Sequence, residues 1–250
     1  LLRAVVDLAR RRGWPVAMHL AESPEEDHDV RHGDGPFAEA RRKRGIAVQA
    51  RGCSPVAWVG RAGLLDLRPL LIHCVTADGD DAVAIARHGA SIAYCPWSNA
   101  VLRNGRADLA LFRRLGVTVG AGTDSVAPGG GLALFREARL AALACPLTPR
   151  EMLRLVTADA AAALGTDGAG TLEAGAWGDL CAVSLAAPPL VATADPEEAV
   201  ALSAGPADVV FTAVAGTPVY REGAWPDVDE AAERTGLAEA ARAARQAAAA

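Results

Sequence analysis

From Pro69 to Ala144 the chain repeats one pattern: a short apolar run, a polar residue at its end, a helical stretch and a glycine stop. Pro69-Leu70-Leu71-Ile72 runs into His73-Cys74-Val75, and a helix from Asp78 to His88 follows, stopped by Gly89. Ser91 to Cys95 comes next, with Pro96-Trp97-Ser98-Asn99 behind it and a helix from Asp108 to Leu115 stopped at Gly116. Val117 to Gly122 closes the series and leads through Thr123-Asp124-Ser125 and a loop at Gly129, Gly130 and Gly131 to a helix from Leu132 to Ala144. Strands alternating with helices at this spacing build right-handed βαβ units, hence a parallel sheet or a (β/α) barrel. Such folds place their ligands at strand C-termini, which is where the polar residues of this chain fall.

The same pattern starts earlier. Leu1 to Arg12 reads as an amphipathic helix stopped by Gly13, and Trp14 to Leu20 as a strand buried on both faces. That strand exits on Met18-His19-Leu20-Ala21-Glu22, so an imidazole and a carboxylate leave it together. Ser23 suits an N-cap, Pro24 the first helical position and Glu25 and Glu26 the first turn, which fixes Glu22 at a strand-to-helix junction. Helices are expected over Pro36 to Arg44 and Ser54 to Ala62. His28 and His32 lie among charged residues and read as surface histidines. After a helix from Pro149 to Leu164, stopped by Gly165, the texture changes to β-type runs at Gly178 to Leu185, Val209 to Val214 and Thr217 to Arg221. A Pro-rich acidic connection lies inside this β region. The tail from Asp229 to Ala250 is rich in Ala, Glu and Arg and reads as a peripheral helix.

Composition excludes several classes. The 250 residues are 51% hydrophobic but only 4% aromatic, which describes an aliphatic globular core. The net charge of -5 includes no basic block, since the arginines at 10 to 12 and at 41, 42 and 44 fall on helical faces, so no nucleic-acid partner is expected. No signal peptide and no apolar stretch of spanning length is present, so no membrane partner is expected either. Five cysteines without a CxxC pair fit a reducing cytoplasm.

His19, Glu22, His73 and Asp124 thus stand at the ends of three parallel strands and are expected to converge. An imidazole and a carboxylate can hold a divalent ion, a second carboxylate can carry protons, and a second imidazole can hold water or substrate. Taken singly, His73 also fits a buried imidazole bonded to a carbonyl, and Asp124 a carboxylate capping Ser125 or the next turn. Ser98 and Asn99 are expected to cap a turn rather than touch substrate, and Cys74 and Cys95 to be small core residues.

These residues carry a resemblance. The chain resembles the C-terminal part of the amidohydrolase superfamily, in the branch of cytosine, guanine and S-adenosylhomocysteine deaminases and triazine chlorohydrolases. The matching motifs are His19-Leu20-Ala21-Glu22 after the fifth barrel strand, Ile72-His73-Cys74 at the sixth, Cys95-Pro96 with Ser98-Asn99 after the seventh and Gly122-Thr123-Asp124 at the eighth. Gly170 to Gly175 with Gly178-Asp179-Leu180 resembles the family's return into its small β-sandwich.

The resemblance implies an α/β fold: the second half of a (β/α)8 TIM-like barrel over residues 1–165, part of a β-sandwich over 166–228, and an Ala-rich helical tail over 229–250. It implies His19 as a metal ligand, Asp124 as a ligand that also accepts a proton from water, Glu22 as the proton shuttle and His73 as the group that orients water or substrate. The metal is expected to be zinc, with iron as the alternative.

One departure is large: the family's His-x-His pair, which supplies two further ligands, occurs nowhere in the sequence. The chain is therefore expected to be a fragment, inactive by itself. The expected activity is hydrolysis of a C–N bond, deaminating a purine- or nucleoside-like heterocycle. Cyclic-amide hydrolysis, removal of a halogen or alkylamino substituent, and a non-catalytic scaffold stay open, as does homo-oligomerisation of the full-length protein.

Overall fold

A computed structural model describes residues 1–248, so the last two residues of the tail expected over 229–250 lie outside the described residues. The elements in order are α1 (Leu2–Arg12), β1 (Ala17–Leu20), α2 (Pro24–His32), α3 (Pro36–Lys43), α4 (Pro55–Arg61), β2 (Leu70–His73), α5 (Gly79–His88), β3 (Ser91–Tyr94), α6 (Pro96–Val101), α7 (Leu109–Arg114) and β4 (Val119–Ala121). After them come α8 (Val126–Gly129), α9 (Leu134–Ala144), α10 (Pro149–Leu155), α11 (Ala158–Leu164), β5 (Leu180–Val183), α12 (Pro188–Val191), α13 (Pro196–Ser203), β6 (Val209–Val214), β7 (Thr217–Arg221) and α14 (Glu230–Ala248). Several helix starts follow local chemistry. Ser23, Ser54 and Asp108 accept the backbone N–H of the third helical residue, and Asp78 and Thr148 do so within full capping boxes.

Strands β1 to β4 form one parallel sheet in sequence order, each joined to the next through helices. Their register aligns two rows across the sheet. Met18, Leu71, Ile92 and Val119 form one row, and His19, Ile72, Ala93 and Gly120 the next. The first row is core: Leu71, Ile92 and Val119 pack in one buried cluster with Val56 and Val59 of α4, Ile85 of α5 and Leu109 and Phe112 of α7. The second row is open at His19 and closes towards Gly120. The strand at Ala17–Leu20 is accordingly not buried on both faces, as its apolar sequence suggests; Ala17 and His19 are exposed and Leu20 is buried.

Gly120 marks where a helix lies against the second row. A Cβ placed there would stand 2.5 Å from the Ala160 Cα of α11, a backbone atom that cannot swing aside. Gly120→Ala is therefore expected to destabilise the chain by about 1–3 kcal/mol, read as a lower denaturant midpoint. An unchanged midpoint would mean that α11 is not seated on the strand.

This seating also explains a difference from the sequence reading. The single helix expected over 149–164 is two, α10 and α11, broken at Val156 and Thr157. The Ala-rich sequence favours helix throughout, but the break lets α11 turn onto β4 while the Thr157 hydroxyl donates back to Leu153 O at 2.8 Å.

The remaining strands, β5 to β7, form an antiparallel sheet in that order. Ala215 and Gly216, at φ 50° and 76°, make the tight β6–β7 turn. The acidic connection between β5 and β6 is helical. Asp195 caps α13, whose small residues Ala199 and Ala201 are buried, the latter beside Ala138 and Met152 of α9 and α10. Helix α14 is exposed over residues 230–247 apart from the half-buried Ala241. Among the described residues no helix is long and apolar enough to cross a membrane.

Candidate active site

The exits of β1, β2 and β4 share an uncommon backbone feature. Ala21, His73, Cys74 and Asp124 all have positive φ, at 52°, 76°, 51° and 57°. Each such non-glycine residue costs on the order of 1–3 kcal/mol and persists only where its surroundings hold it. Here the neighbours do so: Cys74 N–H donates to Leu20 O at 3.1 Å and Thr76 N–H to Ala21 O at 2.9 Å, tying the two strand exits together. Glu26, in the first turn of α2, reaches back and accepts the Ala21 and Glu22 N–H groups at 3.1 and 2.7 Å. Burial pushes the Glu26 carboxyl up despite these two bonds.

The left-handed turns bring the expected residues together. His73 is fully buried, and its Nε2 stands 3.7 Å from Glu22 Oε1 and 3.8 Å from Asp124 Oδ2. The His19 ring centroid lies 5.2 Å from that of His73, tilted by 45°. His28 does not join them; it is half exposed and pairs with Asp34 at 2.5 Å.

Three side chains from one short segment hold this set. Ser98 Oγ donates to Asp124 Oδ2 at 2.7 Å, His73 Nδ1 bonds to Asn99 Oδ1 at 2.8 Å, and Asn104 Nδ2 donates to Glu22 Oε1 at 3.1 Å. Ser98 and Asn99 are both buried and make no cap of their own helix, contrary to the expectation that they close a turn. The helix carrying them is anchored from outside, because Trp97 N–H donates to the buried Glu137 of α9 at 3.0 Å. Neither Asn104 nor Glu26 stands out in the sequence. Asn104-Gly105 reads as a turn and Glu26 as a first-turn acid, so their contacts were masked by ordinary local roles.

The electrostatics follow from these bonds. Burial opposes the charge on Asp124, but the Ser98 hydroxyl, the Ser125 N–H at 2.6 Å and, when protonated, the His73 and His19 imidazoles outweigh it and hold the carboxyl below its ordinary value. With Asn99 Oδ1 as its acceptor, His73 Nδ1 is the protonated nitrogen of the neutral ring. Nε2 then presents a lone pair towards two carboxylates, and it is a buried nitrogen with no hydrogen-bond partner among the described residues. Cys95, by contrast, is an inert core thiol pushed up to about 12 by burial.

A divalent cation was the group expected here, and an unpartnered buried imidazole nitrogen flanked by carboxylates is the kind of donor set that accepts one. The fit is that of part of a site. Among the described residues no group of three or more His, Cys, Asp or Glu side chains is placed to hold a metal ion. His19 and Asp124 alone provide fewer than the three protein ligands of an ordinary catalytic zinc.

Known proteins place this geometry in context. A 5-methylthioadenosine/S-adenosylhomocysteine deaminase of Pelotomaculum thermopropionicum is 31% identical over 237 residues, covering 92% of this chain and 51% of the relative. The enzyme of that name from Halobacterium salinarum is 33% identical over 248 residues, covering 96% and 53%. The chain thus spans about half the length of the curated relatives it matches. An adenosine deaminase structure from Xanthomonas campestris with bound zinc superposes with a TM-score of 0.84 at 26% identity, over 98% of this chain and 54% of that one. Its likeness, with the parallel sheet, makes the fold α/β and TIM-barrel-like. Since the family model described as Amidohydrolase family matches residues 1–219, nearly everything from α1 to β7, the chain belongs to the amidohydrolase family.

Proposed function

We propose that the protein carrying this chain is a metal-dependent hydrolase that deaminates a purine- or nucleoside-like heterocycle. The observation that carries this reading is the convergence of Glu22 and Asp124 on the free nitrogen of His73 at the strand exits. His19 and Asp124 would hold the metal, zinc before iron, with the further ligands coming from outside this chain's donor set. When bound, the metal supplies acidification of water and charge stabilisation at the reacting carbon.

The side chains divide the rest of the work. Asp124 accepts a proton from the attacking water. His73, with Nδ1 fixed by Asn99, offers Nε2 to orient that water or the substrate. Glu22 takes the other proton of that water and delivers it to the ring nitrogen, and Asp124 passes on the proton it accepted to the departing amino group. Overall, water adds its oxygen to the ring carbon, the C–N bond breaks, and ammonia leaves. The deaminase names of the relatives, and the zinc of the Xanthomonas campestris structure, support the reaction class and the metal.

The proposed organisation is a barrel half over residues 1–165, a partial β-sandwich over 166–228 whose companion strands come from elsewhere in the protein, and a peripheral tail beyond. The proposed partner is a small-molecule substrate, and the five free cysteines suit a reducing cytoplasm.

The test is ammonia release by the full-length protein from a panel of 6-aminopurine nucleosides, beside a chloro-substituted triazine, with metal content read by elemental analysis. Ammonia release with bound zinc is the expected result. Chloride release alone moves the protein to the halide-removing reaction, and metal-free protein without turnover makes it a scaffold.

A further inference from the structure

The geometry points to Asn104 as the positioning residue of the proton carrier: its amide holds Glu22 Oε1 and leaves Oε2 as the oxygen that carries the proton. This rests on the proposed role of Glu22.

A glutamate side chain has several rotatable bonds, and a carboxylate that takes a proton from water and returns it to the substrate has to be held within reach of both partners. Glu22 sits at the junction between a strand and a helix, with its backbone N–H already used by Glu26. Its carboxylate is held by the Asn104 Nδ2 bond at 3.1 Å, across 82 residues of sequence. An amide NH2 group can only donate, and an unprotonated carboxyl oxygen is the better acceptor, so the bond favours Oε1 as the unprotonated one. Protonation of Oε1 would set two donors against each other. The bond thus directs a proton taken up by Glu22 to Oε2, and Oε1 keeps its lone pairs for Asn104 and for the space shared with His73 Nε2 at 3.7 Å.

Asn104 is itself rigidly placed. Its backbone N–H donates to Asn99 O at 2.9 Å, the preceding Arg103 is left-handed at φ 60°, and Gly105 follows at φ 108°. A Cβ at Gly105 would stand 3.2 Å from Val75 Cγ1, so the turn lies directly on the loop that leaves His73. A side chain on such a turn can orient a distant carboxylate because it cannot follow it.

The test uses the full-length protein with Asn104→Ala and Asn104→Asp, alone and combined with Glu22→Gln. Asn104→Ala should lower kcat about tenfold, the cost of one charge-assisted hydrogen bond, with KM within twofold and zinc content unchanged. Asn104→Asp keeps shape and volume but turns an acceptor on Glu22, so its loss should be at least as large; a residue with a purely structural role would tolerate it. Adding Asn104→Ala to Glu22→Gln should lower kcat no further, because no proton is left to direct.

Losses confined to KM, single-variant kcat values within twofold of the parent, or additive losses in the double variant would overturn the inference. Unfolding of both single variants would overturn it too, by assigning Asn104 to the scaffold. Failure of the parent reading looks different, because Glu22→Gln itself would then retain turnover.

Discussion

Glu22→Gln in the full-length protein is expected to lower kcat by at least ~10² while leaving zinc content and substrate affinity nearly as they were. Glutamine keeps the volume of the side chain and a carbonyl oxygen that can still accept from Asn104 Nδ2. Its backbone N–H can still reach Glu26. What it lacks is an oxygen that can take a proton and give it back. The loss should therefore appear in kcat and kcat/KM alike, the pattern of an interaction made only in the transition state. Near-normal turnover would refute the role given to Glu22.

The second large effect concerns the metal. His19→Ala and Asp124→Ala are each expected to reduce zinc affinity by more than about a hundredfold, since altering groups that merely support ligands already costs ~10–100-fold. Turnover should fall with metal occupancy. The two variants should differ in stability: His19 is exposed, whereas loss of the Asp124 carboxylate leaves the buried Ser98 hydroxyl without its partner. Asp124 also sets a pH dependence. Its carboxyl is held below the ordinary value, so the stability it contributes is present above the unfolded carboxylate range and is lost only as pH falls through the lower folded value. Zinc titration followed calorimetrically measures the affinities, and stoichiometric zinc surviving chelator dialysis in both variants would exclude these ligands.

The strand exits were legible in the sequence because each apolar run is short and leads into polar residues, with a glycine stop closing the helix beyond His73 and the helix before Val117. His73 and Asp124 could be placed at the same end of the sheet for that reason alone. What holds them was not legible. Ser98 and Asn99 look the same whether they cap their own turn or reach residues 26 positions away, as both do. The break at Thr157 was hidden in a helix-favouring stretch because its cause, the close approach of Ala160 to Gly120, is a matter of packing between distant segments. The stretch from Pro188 to Glu198 reads only as a Pro-rich acidic connection, yet Ala199 and Ala204 bury against Leu190 and close that segment into helices.

The segment from Ser98 to Asn104 reaches Asp124, His73 and Glu22 at once. Inheritance treats such a stretch as one character. A single inserted or deleted residue between Asn99 and Asn104 shifts the grip on Glu22 relative to the grips on His73 and Asp124, so change there is all or nothing. A variant of this chain that keeps all three grips must therefore keep the stretch at fixed length, whatever changes elsewhere around the mouth.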